Sequence, residues 1–64
     1  MLMPTVDQQI DLCWQRGDTI GETRKSVLRT CRQSISFEYV HARFIVQAEQ
    51  HASIFLYNPE SAAA

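Results

Sequence analysis

The sequence predicts an all-α fold: a small domain of three helices in which the C-terminal helix is the longest. Three segments carry apolar residues at helical spacing. A threonine-led capping box precedes each of the first two segments, and Pro59, which cannot easily continue a helix, follows the third. At 64 residues the chain is one domain, assigned to 1–64 with a frayed tail at 60–64.

The first helix is predicted at Val6–Arg16. Thr5 is its N-cap, and Gln8 occupies the position at which a capping box carries Glu or Gln. Gly17 is a natural left-handed stop. Four residues share the face that we expect to be buried: Val6, Ile10, Cys13 and Trp14.

The second helix is predicted from Ile20 to Arg32. Thr19 and Glu22 form its capping box. Its expected buried face consists of Ile20, Val27, Leu28 and Cys31. A short connection over residues 33–35 follows, and two serines are candidate N-caps of the third helix: Ser34 and Ser36.

The third helix, from Ser36 to Tyr57 with its end near Asn58, is apolar on two sides. One stripe is expected to face the core: Phe37, Val40, Phe44, Ala48, Ala52 and Phe55. A weaker stripe lies roughly opposite: Tyr39, Ala42, Val46, Ser53 and Tyr57. An alternative is a short terminal strand over residues 54–57, whose composition is strand-like.

The second stripe predicts an interface, and we expect a homodimer through this helix. Tyr39, Val46 and Ser53 recur at steps of seven, a spacing that keeps a seam facing a partner helix. A chain this small buries only about 60% of its unfolded surface, so association would stabilise it. Two alternatives remain open. Residues 1–3, together with Leu12, would cover the stripe within one chain, or its tyrosines are simply exposed.

Composition favours a cytoplasmic protein. A secreted chain of this size would carry more than the two cysteines, Cys13 and Cys31. The N-terminal residues lack the apolar run of a signal peptide, and no stretch approaches the length of a membrane span. The net charge of −1 gives no overall attraction to nucleic acid or to an anionic membrane.

The basic residues are nevertheless concentrated: all six lie between positions 16 and 43. On the second helix, Lys25, Arg29 and Arg32 point the same way, away from the apolar face. Such a stripe is suited to follow a phosphate backbone. The alternative is a solvated face whose late arginines complement the helix dipole.

The order of elements from the second helix onward is similar to a helix-turn-helix motif. A turn at 32–34 is followed by Ile35, the expected buried turn residue, and by Val40, buried one turn into the reading helix. The length of the second helix, Arg29 at a position suited to an apolar residue, and the acidic Glu38 oppose this interpretation, and the alternative is an ordinary helical hairpin. The predicted DNA contacts are Lys25, Arg29, Arg32, Ser34, Ser36, His41 and Arg43.

The cysteines and histidines do not predict a metal site. Both cysteines lie on apolar helix faces, where thiols act as small hydrophobes. His41 and His51 would be about 15 Å apart on one helix, too far for one metal ion, so we expect them to pack at the edge of the core. Glycine-rich nucleotide motifs are absent from the sequence, and no cofactor is expected.

Two functions follow, neither of them enzymatic and neither with a small-molecule substrate or a membrane partner. The first is a small DNA-binding regulator that acts as a homodimer through the helix-turn-helix-like segment. The second is a protein-binding module, an inhibitor or adaptor, that presents the second stripe to a host protein.

Overall fold

Three helices form the fold over residues 3–57, which confirms the all-α prediction. The computed structural model describes residues 3–57, with side chains for residues 3–52. Helix α1 is Val6–Arg16, α2 is Ile20–Cys31 and α3 is Phe37–Tyr57, and each helix packs against the other two. Residues 54–57 are helical, so the alternative of a terminal strand is wrong. The predicted tail at 60–64 lies outside the described residues.

Both predicted capping boxes are formed. The Thr5 Oγ1 accepts from the Gln8 amide at 3.1 Å, and the Gln8 Oε1 accepts from the Thr5 amide at 2.9 Å. Thr19 and Glu22 make the same reciprocal pair at the start of α2, with the same two distances. These bonds satisfy amides that the first turn of a helix leaves without a partner. Gly17 ends α1 in the left-handed conformation, with φ 82°.

The connection between α2 and α3 begins at Arg32 rather than after it. Arg32 has a left-handed φ of 59°, and its amide donates to the Leu28 carbonyl at 3.1 Å, so it caps α2 instead of continuing it. Ser36 is the cap of α3, because its Oγ accepts from the Tyr39 amide at 3.1 Å. The non-helical connection therefore spans residues 32–36.

The core is small and draws on all three helices. Its fully or almost fully buried apolar residues are Ile10, Cys13, Val27, Cys31 and Val40. Partly buried side chains close around it: Val6, Ile20, Ile35 and Phe44. Both thiols are free and buried, as the sequence predicts.

The buried face of α2 differs from the prediction. Leu28 is 54% exposed, whereas Thr23 and Ser26 are buried. Their hydroxyls are satisfied: Thr23 donates to the Thr19 carbonyl at 2.8 Å, and Ser26 accepts from the Gln9 Nε2 at 2.9 Å. The buried side of α2 extends from Ser26 through Val27 to Cys31, and Leu28 lies beyond the Cys31 edge of that side.

The core face of α3 is also rotated from the predicted stripe. Val40 and Gln47 are buried and Phe44 is half-buried, a line that follows the period of 3.6 residues. Three residues predicted to face the core are exposed: Phe37, Ala48 and Ala52. The predicted stripe consists of apolar residues alone. The buried side of α3 includes the polar Gln47, so it is rotated away from that stripe. Phe55 lies outside the described side chains.

Candidate functional site

Positive charge without an acidic partner among residues 3–52 lies on α2 and on its C-cap. Of the predicted basic stripe, only Lys25 and Arg29 are on the helix; Arg32 has left it with a φ of 59°, so the prediction that all three share one helical face is wrong for Arg32. Lys25, Arg29 and Arg32 are all exposed, and within residues 3–52 the structure gives none of them an ion pair. The two ion pairs found in that range lie elsewhere, and one joins Arg16 to Asp18 at 2.6 Å. The hydrogen bond from Arg16 holds the pKa of the Asp18 carboxyl below its ordinary value. Arg16 and Arg43 are therefore each paired with a carboxylate, whereas no basic residue of α2 is paired within residues 3–52.

The segment after α2 has the predicted burial at two positions, which an ordinary helical hairpin shares. Ile35 is half-buried against the core and Val40 is fully buried, as predicted for the turn and for the following helix. The predicted reading residues stand at the surface around the start of α3: Ser34, Ser36, Glu38 and His41. The Ser36 Oγ accepts a hydrogen bond from the Tyr39 amide. Its hydroxyl proton can still be donated to another group.

Arg24, which was not among the predicted contacts, joins α2 to the connection. Its Nε donates to the Ile35 carbonyl at 3.0 Å, across eleven residues of sequence. Its side chain is otherwise exposed. Spacing within a helix carries no signal for a bond to a distant carbonyl, so the sequence could not have identified this contact.

A shallow groove of about 280 Å³ lies beside this bond, and we call it the α2 groove. The exposed Leu28 forms part of its wall. Of the lining residues within the described part of the chain, none is acidic and two are basic. The lining consists of Gly21, Arg24, Lys25, Leu28, Ser34 and Ile35.

Arg43 was predicted to contact DNA, and the structure holds it against α1. Its Nε and Nη2 bond the two carboxylate oxygens of Asp11 at 2.9 and 2.8 Å. This hydrogen bonding raises the pKa of the Arg43 guanidinium. Nearby, the Tyr39 hydroxyl donates to the Asp7 carboxylate, which raises the pKa of Tyr39. Arg43 thus belongs to a polar junction between α1 and α3, separate from the basic face of α2.

The second apolar stripe of α3 lies at the surface over its described part. Tyr39 is 47% exposed and Val46 37%, and Ala42 between them is also exposed. With Arg43 they line a shallow cavity of about 220 Å³. Leu12, a candidate to cover the stripe, is itself largely exposed. The other predicted interface residues, Ser53 and Tyr57, lie on α3 outside the described side chains.

The histidines occupy two different settings. His51 packs on Trp14 with ring centroids 4.7 Å apart, so it lies at the edge of the α1–α3 contact as predicted. His41 is exposed, with its ring centroid 6.1 Å from that of Phe37, which is also exposed, so the prediction that His41 packs at the edge of the core is wrong.

Across residues 3–52 the structure gathers no group of three or more histidine, cysteine or carboxylate side chains that could hold a metal ion. Within residues 3–57 no helix has the length and apolar character needed to cross a bilayer. No family model, curated protein or solved structure matches the chain.

Proposed function

We propose that this protein is a small DNA-binding regulator whose α2 face and α3 N-terminus contact duplex DNA. The main support for this proposal is the distribution of paired and unpaired basic side chains. Lys25, Arg29 and Arg32 are exposed and without an ion pair among residues 3–52, whereas Asp11 and Asp18 neutralise the arginines beside α1. Positive side chains on one face gain affinity for DNA by releasing counterions from its phosphates, even when the net charge of the protein is −1.

The residues proposed to read sequence are Ser34, Ser36 and His41. All three are exposed around the start of α3, the part of the second helix that leads into the major groove in a helix-turn-helix. Hydroxyl groups can bond base edges there. Glu38 stands among them and would repel phosphates, but its carboxylate can accept from a cytosine amino group.

The regulator is proposed to act as a cytoplasmic homodimer. Tyr39, Ala42 and Val46 are exposed along one side of α3, and Ser53 and Tyr57 continue the same side in sequence. Two copies related by a two-fold axis would present two reading segments to two half-sites on DNA. Free, buried thiols suit a reducing compartment.

The test is the salt dependence of binding to a fluorescein-labelled random duplex, followed by anisotropy between about 50 and 200 mM salt. Arg29→Gln and Arg32→Gln should each weaken binding to all duplexes and flatten the slope of log affinity against log salt by about 0.9. Arg16→Gln is the matched control, because it removes the same charge from an exposed arginine on α1. His41→Ala should instead alter sequence preference in a selection from random duplexes.

Two outcomes would reject the regulator. One is a wild-type chain that binds no duplex at about 50 mM salt, where non-specific contacts are strong. The other is an Arg16→Gln variant that flattens the slope as much as Arg29→Gln, because the attraction would then have no defined face.

A second candidate, a protein-binding module, is supported by the exposed apolar side of α3. Tyr39, Ala42 and Val46 border a shallow cavity, and Ile45 beside them is 45% exposed. Exposed apolar surface of this kind is typical of a contact with another protein. A chain that binds no duplex and is monomeric would favour this function.

A further inference from the structure

We propose that the α2 groove binds one backbone phosphate of nucleic acid, with Arg24 as both a phosphate ligand and the residue that positions the α2–α3 connection. The inference rests on the DNA-binding function proposed above and extends it to a groove beside Lys25 and to Arg24, a residue that the basic stripe does not include.

The charge of the groove matches an anion. Arg24 and Lys25 line it side by side, and within residues 3–52 neither has an ion pair. Among residues 3–52 the lining contains no carboxylate, and Ser34 adds a hydroxyl donor. Two cations and a hydroxyl around one concavity are the groups that bind phosphate oxygens in proteins.

The apolar part of the lining favours a phosphodiester over a free phosphate ion as the ligand. Leu28 is 54% exposed, and it lines the groove together with Ile35. A free phosphate ion would bond Arg24, Lys25 and Ser34 but would leave Leu28 and Ile35 facing water or a hydrated anion. A phosphodiester carries sugar carbons on both sides of the phosphate, and these can contact Leu28 and Ile35. The nucleic-acid backbone is therefore the occupant that fits both halves of the lining.

Arg24 can serve two partners at once because of its donor geometry. A guanidinium has five N–H donors in a rigid fork, and the bond to the Ile35 carbonyl uses the one on Nε. The four donors on the two Nη atoms remain for phosphate oxygens. A lysine at this position would keep the charge but would lose the fork.

The bond from Arg24 to the Ile35 carbonyl fixes the backbone just before α3. Ile35 directly precedes Ser36, the N-cap of α3, and its side chain packs against the core. Arg24 therefore ties to α2 the residue that sets where the reading helix begins. A phosphate bound by Arg24 would be held at a defined place relative to Ser36 and His41.

The experiment compares Arg24→Gln and Arg24→Lys with Arg29→Gln, which removes the same charge from the same helix outside the groove. Circular dichroism melts first establish that each variant is folded. Arg24→Gln should flatten the salt slope of duplex binding by about 0.9, the effect of one lost phosphate contact. Arg24→Lys should keep the wild-type slope but bind several-fold more weakly and with less sequence preference, because the connection is no longer fixed by the fork.

The outcomes separate this inference from the proposed function. If Arg29→Gln flattens the slope and Arg24→Gln does not, the groove proposal is wrong and DNA binding stands. Weaker binding by both Arg24 variants at an unchanged slope would show that Arg24 is structural and contacts no phosphate. If millimolar inorganic phosphate shifts the amide resonances of Gly21 and Ser34 as a duplex does, the groove is a general anion site and the assignment to a nucleic-acid backbone is wrong. A wild-type chain that binds no duplex overturns both proposals.

Discussion

Arg43 on α3 and Asp11 on α1 form a bidentate ion pair, with nitrogen–oxygen distances of 2.9 and 2.8 Å, across 32 residues of sequence. The side chains keep 30% and 24% of their surface exposed. Two parallel bonds fix the rotation of one helix against the other more narrowly than apolar contact does. The pair thus helps to determine which side of α3 faces the core.

Loss of this pair should destabilise the protein modestly. Asp11→Asn removes the charge and should lower the free energy of unfolding by about 1 kcal/mol, the upper range for a partly exposed pair. Urea unfolding at low salt measures it, and the loss should shrink at high salt as screening grows. Glu49→Gln, at an exposed position on α3, is the matched control. An equal loss in both variants would contradict a specific role for the pair.

The Tyr39–Asp7 hydrogen bond should be visible in an alkaline titration. The bond raises the pKa of Tyr39 in the folded chain, so its stabilising contribution is complete below about pH 10 and disappears as the pH rises through the folded pKa. Asp7→Asn should bring that pKa down. Tyrosinate absorbance measures the pKa, and a Tyr57→Phe background leaves Tyr39 as the one tyrosine. An unchanged titration in Asp7→Asn would show that the bond is absent in solution.

The proposed dimer should be sensitive to charge on the exposed side of α3. Val46→Glu would place a carboxylate in the interface and should weaken association by roughly several kcal/mol while the helix stays intact. Sedimentation equilibrium measures association, with Ala48→Glu as the control at an exposed position on another side of α3. A wild-type chain that remains monomeric at high micromolar concentration would exclude the dimer.

Ser36 should have a measurable structural role apart from any contact with DNA. Its Oγ accepts from the Tyr39 amide at the start of α3, so Ser36→Ala should cost about 1 kcal/mol of stability. Ser36→Asn, which keeps a capping oxygen, should retain most of it. Thermal melts compare the two. If both variants melt like the wild type, the cap does not stabilise α3.

The two thiols should be protected until the chain opens. Cys13 is fully buried and Cys31 is 8% exposed, and the Cys31 Sγ lies 3.5 Å from the Pro4 carbonyl oxygen. Reaction with a chromogenic disulfide should be slow in buffer and rapid in denaturant. Cys13→Ala should lower the free energy of unfolding by about 1 kcal/mol. Rapid labelling of the native chain, or zinc held in stoichiometric amount, would contradict a packing role.

Much of the secondary structure could be predicted because its signals are local. The capping boxes at Thr5 and Thr19 and the left-handed Gly17 involve partners within a few residues, and the ends of α1 agree with the prediction. The end of α2 shifted by one residue, because nothing local to Arg32 indicates a left-handed cap. Leu28 is predicted to be buried because it is apolar, but it is exposed. Thr23 and Ser26 occupy the buried positions instead, and their hydroxyls are hydrogen-bonded.

The sequence alone therefore determined the three helices of residues 3–57, the caps at which the first two begin, and that Lys25 and Arg29 share the exposed side of α2. Tertiary structure decided which side of each helix is buried and which charges are compensated. Arg43 is bound by Asp11, Arg24 reaches the Ile35 carbonyl, and Gln47 takes a place in the core that the apolar pattern did not assign to it. The physical reason is sequence separation. Helix caps depend on hydrogen bonds between residues three or four positions apart, whereas these contacts join segments that are brought together only when the helices pack.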